Sequence, residues 1–341
     1  MLNHIYRLIK PGIFEYSCSD IAVNTDKAIV RPIYLSICHA DQRYYRGERS
    51  EEVLKKKLPM ALIHEAIGRV VNDPTGTFEK DDLVVMIPNT PVETDDVIAE
   101  NYLRSSKFRA SGYDGFMQEY VEIDAGRLVK MPEDIDLEVA AFTELLTVSV
   151  HAITRMDRFA HSRRNAIGVW GDGNLGYITA VLFKAMFPDI KLYVFGIDDE
   201  KLKDFDFADE VFKTDAIPED LRVDHAFECV GNEYSGDAIN QIIDYINPEG
   251  TISILGVSEN PVPINTRMVL EKGLRIFGSS RSGYDDFVKT INLYQTNPEL
   301  IERLKKIVGE VITVRDIEDA KEAFAKDSTR GFGKTIMKWE I

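Results

Sequence analysis

Gly171-Asp172-Gly173-Asn174-Leu175-Gly176 constrains this chain more than any other stretch. A short apolar run at 166–170 precedes it, and an apolar, helix-spaced run to Phe187 follows. Strand, then Gly171-x-Gly173-x-x-Gly176, then helix is the arrangement that cradles a dinucleotide. The first glycine allows the tight turn, the second lets the backbone approach the pyrophosphate, and the third lets helix and strand pack closely. The helix N-terminus, with Asn174 and Leu175 in its first turn, offers N–H donors and positive potential to the phosphates. A lone motif of this kind is weak, but here it sits in the context it requires. Further short apolar runs at 192–195, 211–212, 224–229, 251–255 and 275–277 alternate with helical patterns. Such alternation indicates an α/β fold, a Rossmann-type doubly wound parallel sheet.

The residue about 20 positions after the loop reads the adenosine ribose. Counting from Gly176 reaches Gly196. Glycine neither binds the ribose hydroxyls nor repels a 2′-phosphate, which favours NADP(H); Lys201 and Lys203 are candidate phosphate partners, with solvated helix charges as the equal alternative. If the strand runs two residues further, Asp198 takes the NAD-type role instead. Cys229-Val230-Gly231 and Leu255-Gly256-Val257 end later strands, and Val230 and Gly256 are expected on the cofactor side of the sheet.

The first half reads differently. The run at 28–35 is apolar and β-branched, those at 68–71 and 83–87 are Val/Ile-rich and bounded by turn residues, as strands are, and 116–123 alternates loosely. Residues 88–115 are polar and aperiodic, a long loop or short helical excursion. Helical spacing begins at 139–155. After Gly278 the pattern gives two or three helices, and 334–339 closes the chain as a strand returning to the first domain.

Cys38, His64-Glu65 and Glu144 stand out against this background. Singly, each has an ordinary explanation: a cysteine at a strand end is filler, and a His-Glu pair sits at the surface. A carboxylate among the apolar residues of 140–150 is odder, because it needs a partner or a metal. A catalytic zinc takes three protein ligands from Cys, His and carboxylate and keeps one position open. Beside a nucleotide loop the four make one hypothesis: metal ligands and catalytic residues Cys38, His64, Glu65 and Glu144. Glu65 and Glu144 either ligate directly or stand beside the ligands.

Taken together, these segments resemble the zinc-dependent medium-chain dehydrogenase/reductases, in the family's order and over nearly the whole length. Cys38-His39-Ala40-Asp41 resembles its Cys-x-x-Asp segment. Residues 59–68, with His64-Glu65 and Gly68, resemble its Pro-x-x-x-Gly-His-Glu-x-x-Gly segment, and Gly115 with Glu119-Tyr120 its Gly-x-x-x-Glu-Tyr segment. Glu144-Leu145-Leu146 resembles the Glu-Pro-Leu of the polyol dehydrogenase branch. The resemblance implies a mainly β GroES-like catalytic domain of residues 1–148 plus 278–341, and a Rossmann nucleotide-binding domain of 149–277. It implies His39 on the pyrophosphate, and Arg281, in the place of an arginine lining the branch's active site, among the cofactor contacts. No cysteine lies between Cys38 and Cys229, where the family's structural zinc would need four. One catalytic zinc and no structural zinc is the expectation. Two departures matter. Ile63 stands where the family has glycine, and Ala40 where many members have the hydroxyl that passes the proton. The proton then runs through water, Glu65, His39 or Tyr45.

Arg43, Arg46 and Arg49 crowd the segment after Cys38, with Lys55–Lys57 beyond and Arg104, Lys107 and Arg109 in the later loop. Arginine suits a phosphate through paired donors. Arg43 and Arg46 are the candidates for a substrate phosphate, and a solvated charged loop is the alternative. The member most resembled reduces D-ribulose 5-phosphate to D-ribitol 5-phosphate with NADPH. That implies a phosphorylated sugar substrate, a homodimer through the edge strand 275–277, and association with a ribitol-5-phosphate cytidylyltransferase supplying CDP-ribitol for teichoic acid or capsule. An NAD-dependent dehydrogenase of an unphosphorylated polyol is the nearest rival. A zinc-independent reductase and a catalytically weak scaffold for the cytidylyltransferase are the others. The balance of 41 basic against 57 acidic residues, net −16, argues against nucleic acid or an anionic membrane as partner. Three cysteines, no apolar leader and no long apolar run fit the cytoplasm.

Overall fold

In the computed structural model, residues 1–22 and 26–341 are described. The chain forms two compact units, Met1–Leu145 with Ser282–Ile341, and Leu146–Arg281.

The first unit is built on a sheet ordered Leu128–Lys130, Leu83–Met86, Glu65–Asn72, Ala28–Ser36, Lys334–Trp339, Val308–Val314, with Val121–Ile123 also on Ala28–Ser36. The closing strand thus returns to the centre of this sheet, where Ile336 pairs with Ser36. Helix Ile317–Ser328 connects the parallel pair Val308–Val314 and Lys334–Trp339. Its apolar side, Ala320, Ala323 and Phe324, is fully buried against the same core as Leu35, Met337 and Trp339. A separate hairpin, Leu2–Lys10 with Ile13–Asp20, takes Met60–Ala61 as its third strand.

Among the strands that the sequence pattern did not give are the first hairpin and Val308–Val314. The hairpin alternates imperfectly, because both Ile5 and Tyr6 are buried, and Pro11-Gly12 was its turn signal. In Val308–Val314 Gly309 and Glu310 interrupt the apolar residues, and only Ile312 and Val314 are buried. Conversely, 116–123 is a strand only over Val121–Ile123. Residues 115–118 are irregular backbone with a structural task described below. The 88–115 segment holds two short paired strands, Asn89–Thr90 and Lys107–Phe108, and a 3-10 turn, Glu100–Tyr102.

The second unit is the parallel sheet expected, ordered Glu210–Lys213, Lys191–Gly196, Ala166–Trp170, Val223–Glu228, Ile246–Ile254, Arg275–Gly278. Arg275–Gly278 is an edge strand. Strand Ala166–Trp170 is buried throughout, as a strand covered on both faces must be.

His225 in Val223–Glu228 is a buried neutral histidine. Its Nδ1 accepts the Thr251 N–H at 3.1 Å, and its Nε2 lies 3.3 and 3.2 Å from the carbonyls of His161 and Arg163. Burial, then the neighbouring His161, push its pKa from 6.5 down to about 4. The unfolded chain therefore takes up this proton before the folded one does. Stability is full above pH 6.5 and is lost as pH falls toward 4. The melting temperature of the protein is expected to fall more steeply over that window than that of His225→Gln, measured by thermal denaturation.

Candidate active site

Strand Ala28–Ser36 delivers Cys38 to the N-cap of helix His39–Tyr45. One turn in, Asp41 is 1% exposed and organises the neighbourhood. Its Oδ2 accepts the Cys38 N–H at 3.3 Å and lies 3.4 Å from His64 Nδ1, while Oδ1 accepts the Ile63 N–H at 2.9 Å. Ile63 adopts φ +70°, the left-handed conformation that favours glycine. A β-branched residue is strained there. It is held by Asp41 on one side and on the other by Phe116, whose N–H donates to the Ile63 carbonyl at 2.7 Å. Gly115 and Met117 likewise donate to Ala61 and Leu62. The Gly-x-x-x-Glu-Tyr segment is thus the backing of the His64 turn, and the backbone path expected of glycine survives the change to Ile63.

Strand Glu65–Asn72 begins at the next residue and pairs Glu65 with Ser36. On the other side of Ala28–Ser36 lies Lys334, whose Nζ is 2.8 Å from both Glu65 oxygens. Both side chains are buried. Cys38, His64 and Glu65 bring one ligand atom each within 4.8 Å of one another. His64 turns Nδ1 to Asp41, which leaves Nε2 for a metal, the arrangement that fixes a ligating imidazole. Burial pushes the Cys38 thiol up, with His64 opposing. Burial works against the His64 imidazolium, but Asp41 and Cys38 outweigh it and hold the pKa well above 6.5. A half-buried thiol with a buried imidazole and carboxylate at ligand spacing fits Zn²⁺, and zinc binding releases their protons.

Glu144, near the start of helix Thr143–Phe159, is buried but is not one of the three clustered ligand atoms. Burial raises its carboxyl to about 7, with His64 and Lys334 pulling it down and Glu65 pushing it up. It therefore stands within the field of the cluster. His39, Arg43 and Arg46 gather on the helix after Cys38. Burial, then the two arginines, lower the His39 pKa. Arg46 pairs with Glu48 at 2.9 Å. Tyr45 packs its ring between Phe14 and Phe324. Arg109 is half-buried, donating to the carbonyls of Glu122 and Asp114 at 2.6 and 3.3 Å. It ties the 88–115 segment to the strand Val121–Ile123.

In the second unit Gly171 adopts φ +127°, and Gly173 caps helix Asn174–Met186. A Cβ on Gly176 would stand 1.9 Å from the Gly171 carbonyl, so the third glycine is forced by close approach. The neighbouring strand ends at Gly196. Asp198 lies beyond it, and its side chain accepts the N–H groups of Glu200 and Lys201 as a helix cap. Lys201 Nζ is 4.0 Å from Asp198, and Lys203 pairs with Glu200. Val230 and Gly231 donate to Glu228 Oε1 at 2.9 and 2.8 Å, and Gly256 to Oε2 at 3.1 Å. Arg281 closes this unit at φ +59°.

Asp41, Lys334 and Glu228 are functional supports that sequence reasoning missed. Asp41 stood inside a recognised segment, and its spacing three after Cys38 was the available signal. Lys334 and Glu228 carried none, since each acts through a partner the sheet supplies.

The alcohol dehydrogenase GroES-like domain profile matches residues 24–133, and the zinc-binding dehydrogenase profile matches 189–296. Ribulose-5-phosphate reductase 1 of Staphylococcus aureus is 54% identical over 339 residues, 99% of each chain. The chain belongs to the zinc-binding dehydrogenases. Ribulose-5-phosphate reductase of Bacillus spizizenii is also 54% identical, over the whole of both chains. The crystal structure of S. aureus TarJ in complex with NADPH is 48% identical and covers both chains fully, with a TM-score of 0.91. As a zinc-binding dehydrogenase the chain places its cysteine, histidine and glutamate where one zinc fits. Among the described residues no second cluster of ligand spacing occurs.

Proposed function

We propose that this zinc-binding dehydrogenase reduces D-ribulose 5-phosphate to D-ribitol 5-phosphate with NADPH. The observation that carries the reading is the Cys38–His64–Glu65 cluster, in a chain more than half identical over its full length to ribulose-5-phosphate reductases. When bound, zinc polarises the C2 carbonyl as a Lewis acid and NADPH supplies the hydride.

The protein's residues supply position and field. Asp41 fixes the His64 ring and, through Ile63, the turn that carries it. Lys334 balances the Glu65 charge in a buried setting, and Glu144 stands beside the cluster. Gly171, Gly173 and Gly176 with Asn174 and Leu175 receive the pyrophosphate. Gly196 and Lys201 face the adenosine end. Glu228 shapes the Val230 and Gly256 turns for the rest of the nucleotide. Arg43 and Arg46 hold the sugar phosphate, so that binding energy from the remote group positions C2.

The product is a sugar-alcohol phosphate. It suits a cytidylyltransferase making CDP-ribitol for teichoic acid or capsule, in the cytoplasm. The edge strand Arg275–Gly278 is the surface proposed for a homodimer. No described helix is long and apolar enough to cross a membrane.

The test is spectrophotometric. NADPH oxidation is expected with D-ribulose 5-phosphate and is expected to stop on chelation. With unphosphorylated ribulose, kcat/KM is expected to fall by about 100-fold or more, the scale of losing charge-assisted bonds to a phosphate. Equal turnover of the two sugars would remove the phosphate from the reading while keeping the zinc.

A further inference from the structure

Position 196 is where spacing places the residue that reads the adenosine ribose, and the packing around it explains the glycine. Asp172, between the first two glycines of the loop, reaches to the end of strand Lys191–Gly196. Its Oδ2 accepts the N–H of Ile197 at 2.7 Å and of Asp198 at 2.8 Å. The side chain is buried. A Cβ on Gly196 would stand 2.7 Å from both Cβ and Oδ2 of Asp172, and 2.9 Å from Leu202 Cδ2. The leucine end can rotate away. The Asp172 carboxylate is pinned by two N–H donors and cannot give way without breaking both. An acidic side chain at 196 would also bring its carboxylate against that of Asp172, a like-charge contact in a poorly solvated place.

The remaining groups point the same way. Asp198 spends its carboxylate on capping the following helix. Lys213 is the register partner of Gly196 on the neighbouring strand, and Lys201 lies on the helix that follows. Lys213 pairs with Asp199 at 3.2 Å, in an exposed contact of the kind that exchanges easily for a phosphate.

We infer that Asp172 sets the nucleotide selectivity of this chain. By filling the space above Gly196 it bars the acidic residue that would grip the ribose 2′-hydroxyl and repel a 2′-phosphate. It acts through position 196, as a specificity-determining residue. The inference rests on the NADP(H) reading above.

The experiment measures dissociation constants for NADPH and NADH by nucleotide fluorescence, with melting temperatures, on the wild type, Gly196→Asp and the Asp172→Ala/Gly196→Asp pair. The single variant is expected to melt lower and to lose both nucleotides. The pair is expected to regain NADH, and its Kd ratio of NADH to NADPH to fall by about tenfold or more, the scale of one charged hydrogen bond. A wild type that prefers NADH strikes the cofactor reading. A wild type that prefers NADPH, with an unchanged ratio in the pair, strikes only the role of Asp172. So does Gly196→Asp reversing the preference alone at the wild-type melting temperature. Should the acidic variants fail to fold, Gly196→Ala reads the same contact by size. Its melting penalty is expected in the wild-type background and not beside Asp172→Ala, and equal penalties overturn the inference.

Discussion

Cys38→Ala is expected to yield a folded protein that binds NADPH, holds no zinc and has lost at least about a thousandfold in turnover, as removal of a Lewis acid worth several kcal/mol requires. Three features set this expectation. Cys38 lies outside the hydrophobic core, at the cap of a seven-residue helix, so its loss opens no cavity of consequence. It is one of three clustered donors, and two do not make a tight zinc site. The nucleotide loop lies in a unit with its own sheet and core, and Cys38 belongs to the other. Elemental analysis, nucleotide fluorescence and NADPH oxidation on one preparation separate the three effects. Zinc retained at wild-type stoichiometry, with full turnover, would remove Cys38 from the metal site. Lost NADPH binding would instead show that the substitution disturbs more than the ligand.

The nucleotide unit was legible because its signals are local. A buried parallel strand, a glycine loop and an apolar helix follow one another within about 20 residues, and each obeys its own short-range rule. Gly196 fell where counting put it, although counting alone could not say why it was glycine. That reason lies in Asp172, 24 positions earlier and brought alongside by the sheet. The catalytic unit was legible only as residue types at family spacing. Cys38, His64 and Glu65 could be named, and the structure does bring them together. Glu144 was named with them, and it lies in their field and outside the tight cluster. The supports were not legible. Arg109 reads in the sequence as one more cation near a phosphate, yet the carbonyls of Asp114 and Glu122 engage its guanidinium. Ile63 reads as a departure from the family's glycine just before His64, yet Asp41 and Phe116 hold the turn in place. Both outcomes rest on contacts between segments distant in sequence, and the sequence conceals which segments meet.

Lys334→Met is expected to destabilise the zinc-stripped protein by about 3–5 kcal/mol, the usual result of leaving one partner of a buried ion pair uncompensated. Glu65 is fully buried, and Lys334 is the cation the sheet sets against it, 269 positions away in sequence. Without that ammonium the carboxylate must take up a proton or keep an unbalanced charge in the core. Glu65→Gln combined with Lys334→Met removes both charges and is expected to recover most of the lost stability, because neutral groups of similar shape carry no such penalty. The zinc-loaded protein adds a second test. If Glu65 faces the metal, zinc supplies a cation in place of the lost ammonium, and Lys334→Met lowers the melting temperature less with zinc than after chelation. An equal loss in both forms would show that Glu65 answers only to Lys334, and the metal would then rest on Cys38, His64 and Glu144. Lys334→Arg is the control that separates charge from shape. It keeps the pair but replaces a compact ammonium with a planar fork, and it is expected to preserve stability while changing kcat through the altered seat of Glu65.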